Sequence, residues 1–94
     1  MFNPLNPILH SELRLAIISI LIGNEKIEFN EIKEKTKATS GNISVQLQKL
    51  KEAEYIIIEK QFKNNYPLTT CKITEKGIDA FEEYVNTLKE YIKK

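Results

Sequence analysis

Read for hydrophobic and polar positions, the chain divides into seven short elements. Residues 2 to 9 hold two Asn-Pro pairs, Asn3-Pro4 and Asn6-Pro7, among apolar residues. Proline biases its predecessor away from helix, so an extended arm is expected there. Ser11 is placed to cap a first helix, Glu12 to Ile22, which Gly23 stops. Leu13, Ala16, Ile17, Ile20 and Leu21 make one apolar face of that helix, and Leu15, Ile18 and Ile22 make another, roughly opposite. A helix apolar on two sides must be covered on two sides, by the rest of the domain and by the arm, the last helix or a second subunit.

Lys26 to Phe29 alternates as a short strand does. Asn30 then looks like the cap of a short helix from Glu31 to about Thr36 with Ile32 inward. After a turn at Lys37-Ala38, Thr39 caps a third helix, Ser40 to Ala53, in which Ile43, Leu47 and Leu50 form one narrow inward stripe. Tyr55 to Lys60 and Leu68 to Ile73 are rich in β-branched residues and flank a polar stretch, Gln61 to Pro67, predicting a hairpin with a basic tip. Thr74 caps a last helix running towards Lys94. The order helix, strand, helix, helix, strand, strand, helix predicts a mainly α fold with a small β-hairpin (α+β).

At 94 residues the chain supports one core. Its division is expected to be an arm over 1–10, a central unit over 11–73 and a dimerisation helix over 74–94. With 41% hydrophobic and 29% charged residues the chain should fold, and a second copy would add burial that so small a core lacks. It has no apolar run of the ~18 residues a membrane span needs, and Met-Phe-Asn-Pro lacks the pattern of a signal peptide, so a cytoplasmic protein with no membrane partner is expected. The lone Cys71 is expected to be a small buried hydrophobe, and neither it nor the single His10, read as a capping or packing residue, suggests a metal or other cofactor. Arg14, the only arginine, reads as an ion-pairing or carbonyl-binding structural residue. No nucleophile with an adjacent base, phosphate-binding glycine loop or paired carboxylates suggests an enzyme.

A short helix, a tight turn and a longer helix with one buried stripe is the helix-turn-helix pattern, whose second helix can enter a DNA major groove. With Ile43 inward, Gly41, Val45, Gln48 and Glu52 point outward, flanked by Asn42, Ser44 and Lys49. Small residues admit a helix to the groove, amides pair with adenine edges, and Lys49 can meet guanine or phosphate. Thr39, Ser40 and the free N–H groups at the helix start suit a phosphate. Lys60, Lys63, Asn64 and Asn65 of the hairpin are expected to meet the neighbouring backbone or minor groove. Against this stands a formal net charge of only +1, which counts mildly against DNA binding and leaves a protein-interaction module as the alternative reading.

In the last helix, Ile78, Phe81, Val85, Leu88 and Ile92 recur at spacings of 3 and 4, a heptad seam, with Tyr84 and Tyr91 flanking it. Together with Leu15, Ile18 and Ile22 they are the expected homodimer interface. An apolar dimer crevice would also leave room for a small-molecule effector.

Pro7-Ile8-Leu9-His10-Ser11-Glu12-Leu13-Arg14-Leu15-Ala16-Ile17, Phe29-Asn30-Glu31-Ile32-Lys33, the run from Thr39 to Leu50, and Ile73-Thr74-Glu75-Lys76-Gly77 together resemble winged-helix regulators of the MarR/ArsR/PadR kind, in particular small stand-alone MarR-like proteins. The resemblance implies a winged helix that binds double-stranded DNA as a homodimer and acts as a transcriptional regulator, usually a repressor. The chain departs from that pattern at Val45, where arginine is frequent, and at Asn64, Asn65 and Leu68, where the wing is often basic. Glu54 also stands where those families favour a glycine helix stop.

Overall fold

Among the described residues, three of the four helices begin where a hydroxyl side chain can cap them. In the computed structural model, which describes residues 2–93, Ser11 accepts from the Arg14 N–H and starts α1 (Glu12–Leu21). Thr39 accepts from Asn42 and starts α3 (Ser40–Glu52), and Thr74 accepts from Gly77 and starts α4 (Glu75–Ile92). Met1 of the expected arm and Lys94 of the expected last helix lie outside the described residues. No described helix is long and apolar enough to cross a membrane.

The second helix starts earlier than expected. Strand β1 (Ile27–Glu28) runs directly into α2 (Phe29–Thr36), whose cap residue is the extended Glu28 with no side-chain cap bond. Asn30 is therefore not the cap; it stands exposed inside the first turn, while Phe29 ahead of it packs against the core. Lys37 then adopts a left-handed conformation (φ 59°) that ends α2 and turns the chain into α3.

The hairpin is longer and its turn tighter than its polar middle suggested. Strands β2 (Ile56–Lys63) and β3 (Tyr66–Ile73) pair antiparallel over their full length, Ile56 opposite Ile73 and Lys63 opposite Tyr66. Only Asn64 and Asn65 are left for the turn, both at positive φ (53° and 67°), a conformation asparagine tolerates and that matches the twist of a two-residue hairpin. Sheet order is β1-β3-β2. Because β1 covers β3 only at Thr70 and Cys71, the outer edge of β3 is free at Pro67, which has no N–H to leave unpaired.

Glu54 takes the left-handed position after α3 (φ 66°). Its N–H donates to the Lys51 carbonyl (2.9 Å) and the Tyr55 N–H to that of Leu50 (3.0 Å), which is the Schellman closure usually made with glycine. The departure at Glu54 thus leaves the turn intact.

The core gathers Ile17, Ile18 and Leu21 of α1 with Ile32, Ile43, Leu47, Leu50, Ile56 and Cys71. The arm enters it: Leu9 is fully buried, and Leu5 and Ile8 pack alongside. Arg14 fastens the arm, as a carbonyl-binding role requires, through the Ile8 carbonyl (2.5 Å) and that of Pro7 (3.4 Å). Its remaining guanidinium nitrogen donates to Gln46 Oε1 (2.6 Å), and Gln46 in turn donates to Asn42 Oδ1 (2.9 Å), so one side chain ties arm, α1 and α3 together.

Cys71 is buried as expected, and burial pushes its thiol up from an ordinary 9.0 to about 11. The folded state therefore keeps a proton that the unfolded chain releases, so stability should be unaffected below about pH 9 and fall as pH rises from there towards 11. The folded protein is expected to resist a thiol-specific disulfide reagent at pH 8 and to react fully once denatured. Rapid labelling of the native chain would contradict this burial.

Candidate nucleic-acid interface

α3 buries one stripe, Ile43, Leu47 and Leu50, and therefore presents everything between to solvent. Ser40, Gly41, Asn42, Ser44, Val45, Gln48 and Lys49 are all exposed, as is the capping Thr39. The first turn carries no acid, so the positive end of the helix is not neutralised. Thr39 Oγ1 is already engaged by the Asn42 N–H (3.2 Å) and Asn42 Oδ1 by Gln46, which leaves the Asn42 amide nitrogen and the first backbone N–H groups as outward donors. Gln48 donates weakly to Glu52 (3.4 Å) one turn on.

Side chains alternate along a strand, so the register sorts the hairpin into two faces. Ile56, Ile58, Lys60 and Phe62 share the core-side face with Ile73, Cys71, Thr69 and Pro67, whereas Lys63 and Tyr66 lie on the opposite one. The core-side face does not stop at the core. Phe29, Ser44, Leu47, Gln48, Ile58, Lys60 and Thr69 line one crevice of about 280 Å³ between α3 and the hairpin. Ser44 and Gln48 are thereby brought together with Lys60, while Lys63 lines a second crevice with Lys26, Glu28, Gln61, Phe62, Leu68 and Thr70. Asn64 and Asn65 form the tip.

Phe62 and Tyr66, both exposed near that tip, were not singled out by sequence. They sit in the stretch that reads as a polar loop, and only the continued strand alternation through Gln61-Phe62-Lys63 and Tyr66-Pro67-Leu68 around an Asn-Asn pair signals that they belong to a ribbon.

An exposed helix after a tight turn, flanked by a hairpin that continues its surface, is the winged helix-turn-helix arrangement. A sequence profile of the winged helix DNA-binding domain matches residues 13–92. The chain belongs to that family. An uncharacterized protein of Methanocaldococcus jannaschii is 38% identical over 78 residues, 83% of this chain and 85% of the relative. Among solved structures, a transcriptional regulator homologue from Pyrococcus horikoshii superposes with a TM-score of 0.84 at 26% identity, over 90% of this chain and 84% of the other. Bacillus subtilis PadR, solved in complex with operator DNA, matches with a TM-score of 0.70 at 17% identity over 80% of this chain and 48% of PadR, a likeness of fold. The structural neighbours are MarR- and PadR-type regulators, in keeping with the resemblance drawn from sequence. Family and fold point to DNA binding rather than catalysis.

The residues expected between subunits do not share one environment. Ile18 is fully buried within its own chain and Tyr84 nearly so, which corrects their assignment to an interface between copies. Ile18 belongs to the central core, and for Tyr84 the reason is the arm: its hydroxyl shares a hydrogen bond with Nδ1 of the exposed His10 (3.1 Å). Tyr91 stacks on Phe2 (4.7 Å between rings) and donates to the Asn3 carbonyl (2.6 Å), and Asn3 bonds the Glu90 carboxylate. Leu15, Ile22, Phe81 and Leu88 are half-buried against the core. On α4 the stripe Ile78, Phe81, Val85 and Ile92 stays on the side the arm does not cover, with Ile92 71% exposed.

Proposed function

We propose that the protein is a sequence-specific, double-stranded DNA-binding transcriptional repressor that acts as a homodimer. The observation that carries this reading is the crevice in which Ser44 and Gln48 of α3 meet Lys60 of the wing: a base-reading helix face and a phosphate-seeking cation on one continuous surface. In this reading α3 lies in the major groove, its amides and small side chains addressing base edges and Val45 meeting thymine methyls. Its free N–H groups hold a phosphate, and the wing follows the flanking backbone into the minor groove. The open stripe of α4 takes the second copy, and a two-fold pair would set two α3 helices about 34 Å apart, one DNA turn. Membership of a DNA-binding family supports the first part, and the PadR structure with operator DNA shows that protein using the same fold on a duplex.

Selection of bound duplexes from a random pool, followed by anisotropy titration, tests the reading. It expects paired half-sites about one turn apart and affinity falling steeply with salt. Lys60→Ala should weaken all duplexes and reduce the salt slope by about one, whereas Gln48→Ala should relax preference at one base position by about 1–3 kcal/mol. No enrichment and no salt-sensitive duplex binding would refute it.

A further inference from the structure

The far end of the wing carries two nearly bare aromatic rings, Phe62 at 78% and Tyr66 at 74% exposure. Neither contributes to the core, so both rings are open to whatever the wing meets. Their placement is unequal. By register Phe62 lies on the face of Lys60, two residues beyond it and with Pro67 directly opposite, and it also borders the crevice that holds Lys63; Tyr66 falls on the other face by register, opposite Lys63. Residues 60–68 include two lysines and no acid, so the ring is carried on a positive ribbon, two residues short of its Asn-Asn tip.

The distances suit one occupant. At about 3.3 Å per residue the strand carries Phe62 roughly 13 Å beyond Ile58, and the tip a further ~6 Å. Half a turn of duplex, from a major groove to the adjacent minor groove, is about 17 Å. A minor groove about 6 Å wide admits a two-residue turn and a flat ring but not two strands with their side chains, so entry has to part the groove.

The geometry points to Phe62, backed by Pro67, as an apolar wedge that enters the minor groove beside the α3 contact, opens a base step and bends the duplex. This rests on the DNA-binding reading above. Unstacking the step is offset by burying the ring and by the extra surface the bent duplex brings to the wing. Two wing lysines provide little phosphate contact, and the wedge supplies grip that salt does not screen.

The test uses the full-length protein and selected duplexes carrying 2-aminopurine at successive positions, with donor and acceptor dyes at the ends. Wild-type protein is expected to raise 2-aminopurine fluorescence at one step about half a turn from the α3 footprint and to bring the ends together. Phe62→Ala should abolish both signals and lower affinity about tenfold at every salt concentration, leaving the salt slope unchanged. Lys63→Ala should instead reduce the slope by about one and keep both signals, as should Tyr66→Ala without the slope change. Because Phe62 is exposed, its variant should melt with the wild type. Retention of both signals by Phe62→Ala, their loss with Tyr66→Ala instead, or a Phe62→Ala defect that vanishes at high salt overturns the wedge. Wild-type binding without either signal overturns the wedge alone, whereas no duplex binding at all overturns the DNA reading and the wedge with it.

Discussion

Gly77→Ala is expected to destabilise the fold by about 3 kcal/mol, the upper part of the range for overpacking, and to lower the melting temperature by roughly 12–24 °C for a domain of this size. A Cβ at Gly77 would lie 2.3 Å from the Tyr55 carbonyl oxygen and 2.8 Å from Ile73 Cγ1. The first of these is backbone, and it is held from both sides. The Tyr55 carbonyl accepts from the Thr74 N–H (2.9 Å), and the Tyr55 N–H closes the end of α3 on Leu50. The strain therefore falls on the start of α4, which would have to lift off and break the Thr74 bonds to Gly77 (3.0 Å) and to the Glu54 carbonyl (2.7 Å). Alanine's better helix propensity, worth about 1 kcal/mol, opposes this and is too small to reverse it. Thermal and urea melts followed by circular dichroism measure the loss. A variant melting within a few degrees of wild type would show that α4 can move away freely.

Val85→Glu is expected to convert a dimer into a monomer in sedimentation at micromolar concentration, and to reduce affinity for a two-half-site duplex by about 100-fold or more, because one half-site then binds without the other. The choice of residue follows from how α4 packs on its own chain. Leu88 and Phe81 also pack against their own core, so a charge at either threatens the fold itself. Val85 lies between Phe81 and Ile92 on the open stripe and outside the residues that pack on the core. A glutamate there should leave the circular dichroism spectrum unchanged while placing like charges across the proposed two-fold. Unaltered sedimentation of Val85→Glu, or a wild type that is monomeric throughout, would remove α4 as the contact between copies.

Much of the architecture is legible from local signals. Ser11, Thr39 and Thr74 each precede an apolar-periodic run and each caps the helix it was expected to cap, because N-capping involves only residues within three positions. Asn30 satisfies the same pattern and does not cap, since pairing of Ile27 and Glu28 with Cys71 and Thr70 brings the strand straight into α2. The wing shows the same limit: Gln61 to Pro67 is polar and turn-like in composition, yet all but two of those residues are in the ladder. Strand pairing satisfies their backbone groups whatever their side chains, so composition alone misplaces the loop and hides Phe62 and Tyr66 within it.

By itself, then, the sequence determined the element order, the inward stripe of α3 with its polar outer face, and the heptad spacing on α4, all of which follow from helical and strand periodicity within a single segment. Only the tertiary structure decided which apolar residues are already spoken for. It took Ile18 and Tyr84 into the chain's own core and arm contacts, left Val85 and Ile92 on the open stripe, and brought Lys60 to the α3 crevice while setting Lys63 in a second crevice. The physical reason is one of range. Periodicity says which side of an element is apolar, but what covers that side depends on residues far along the chain, as when Asn3 reaches Glu90 and Arg14 reaches Gln46.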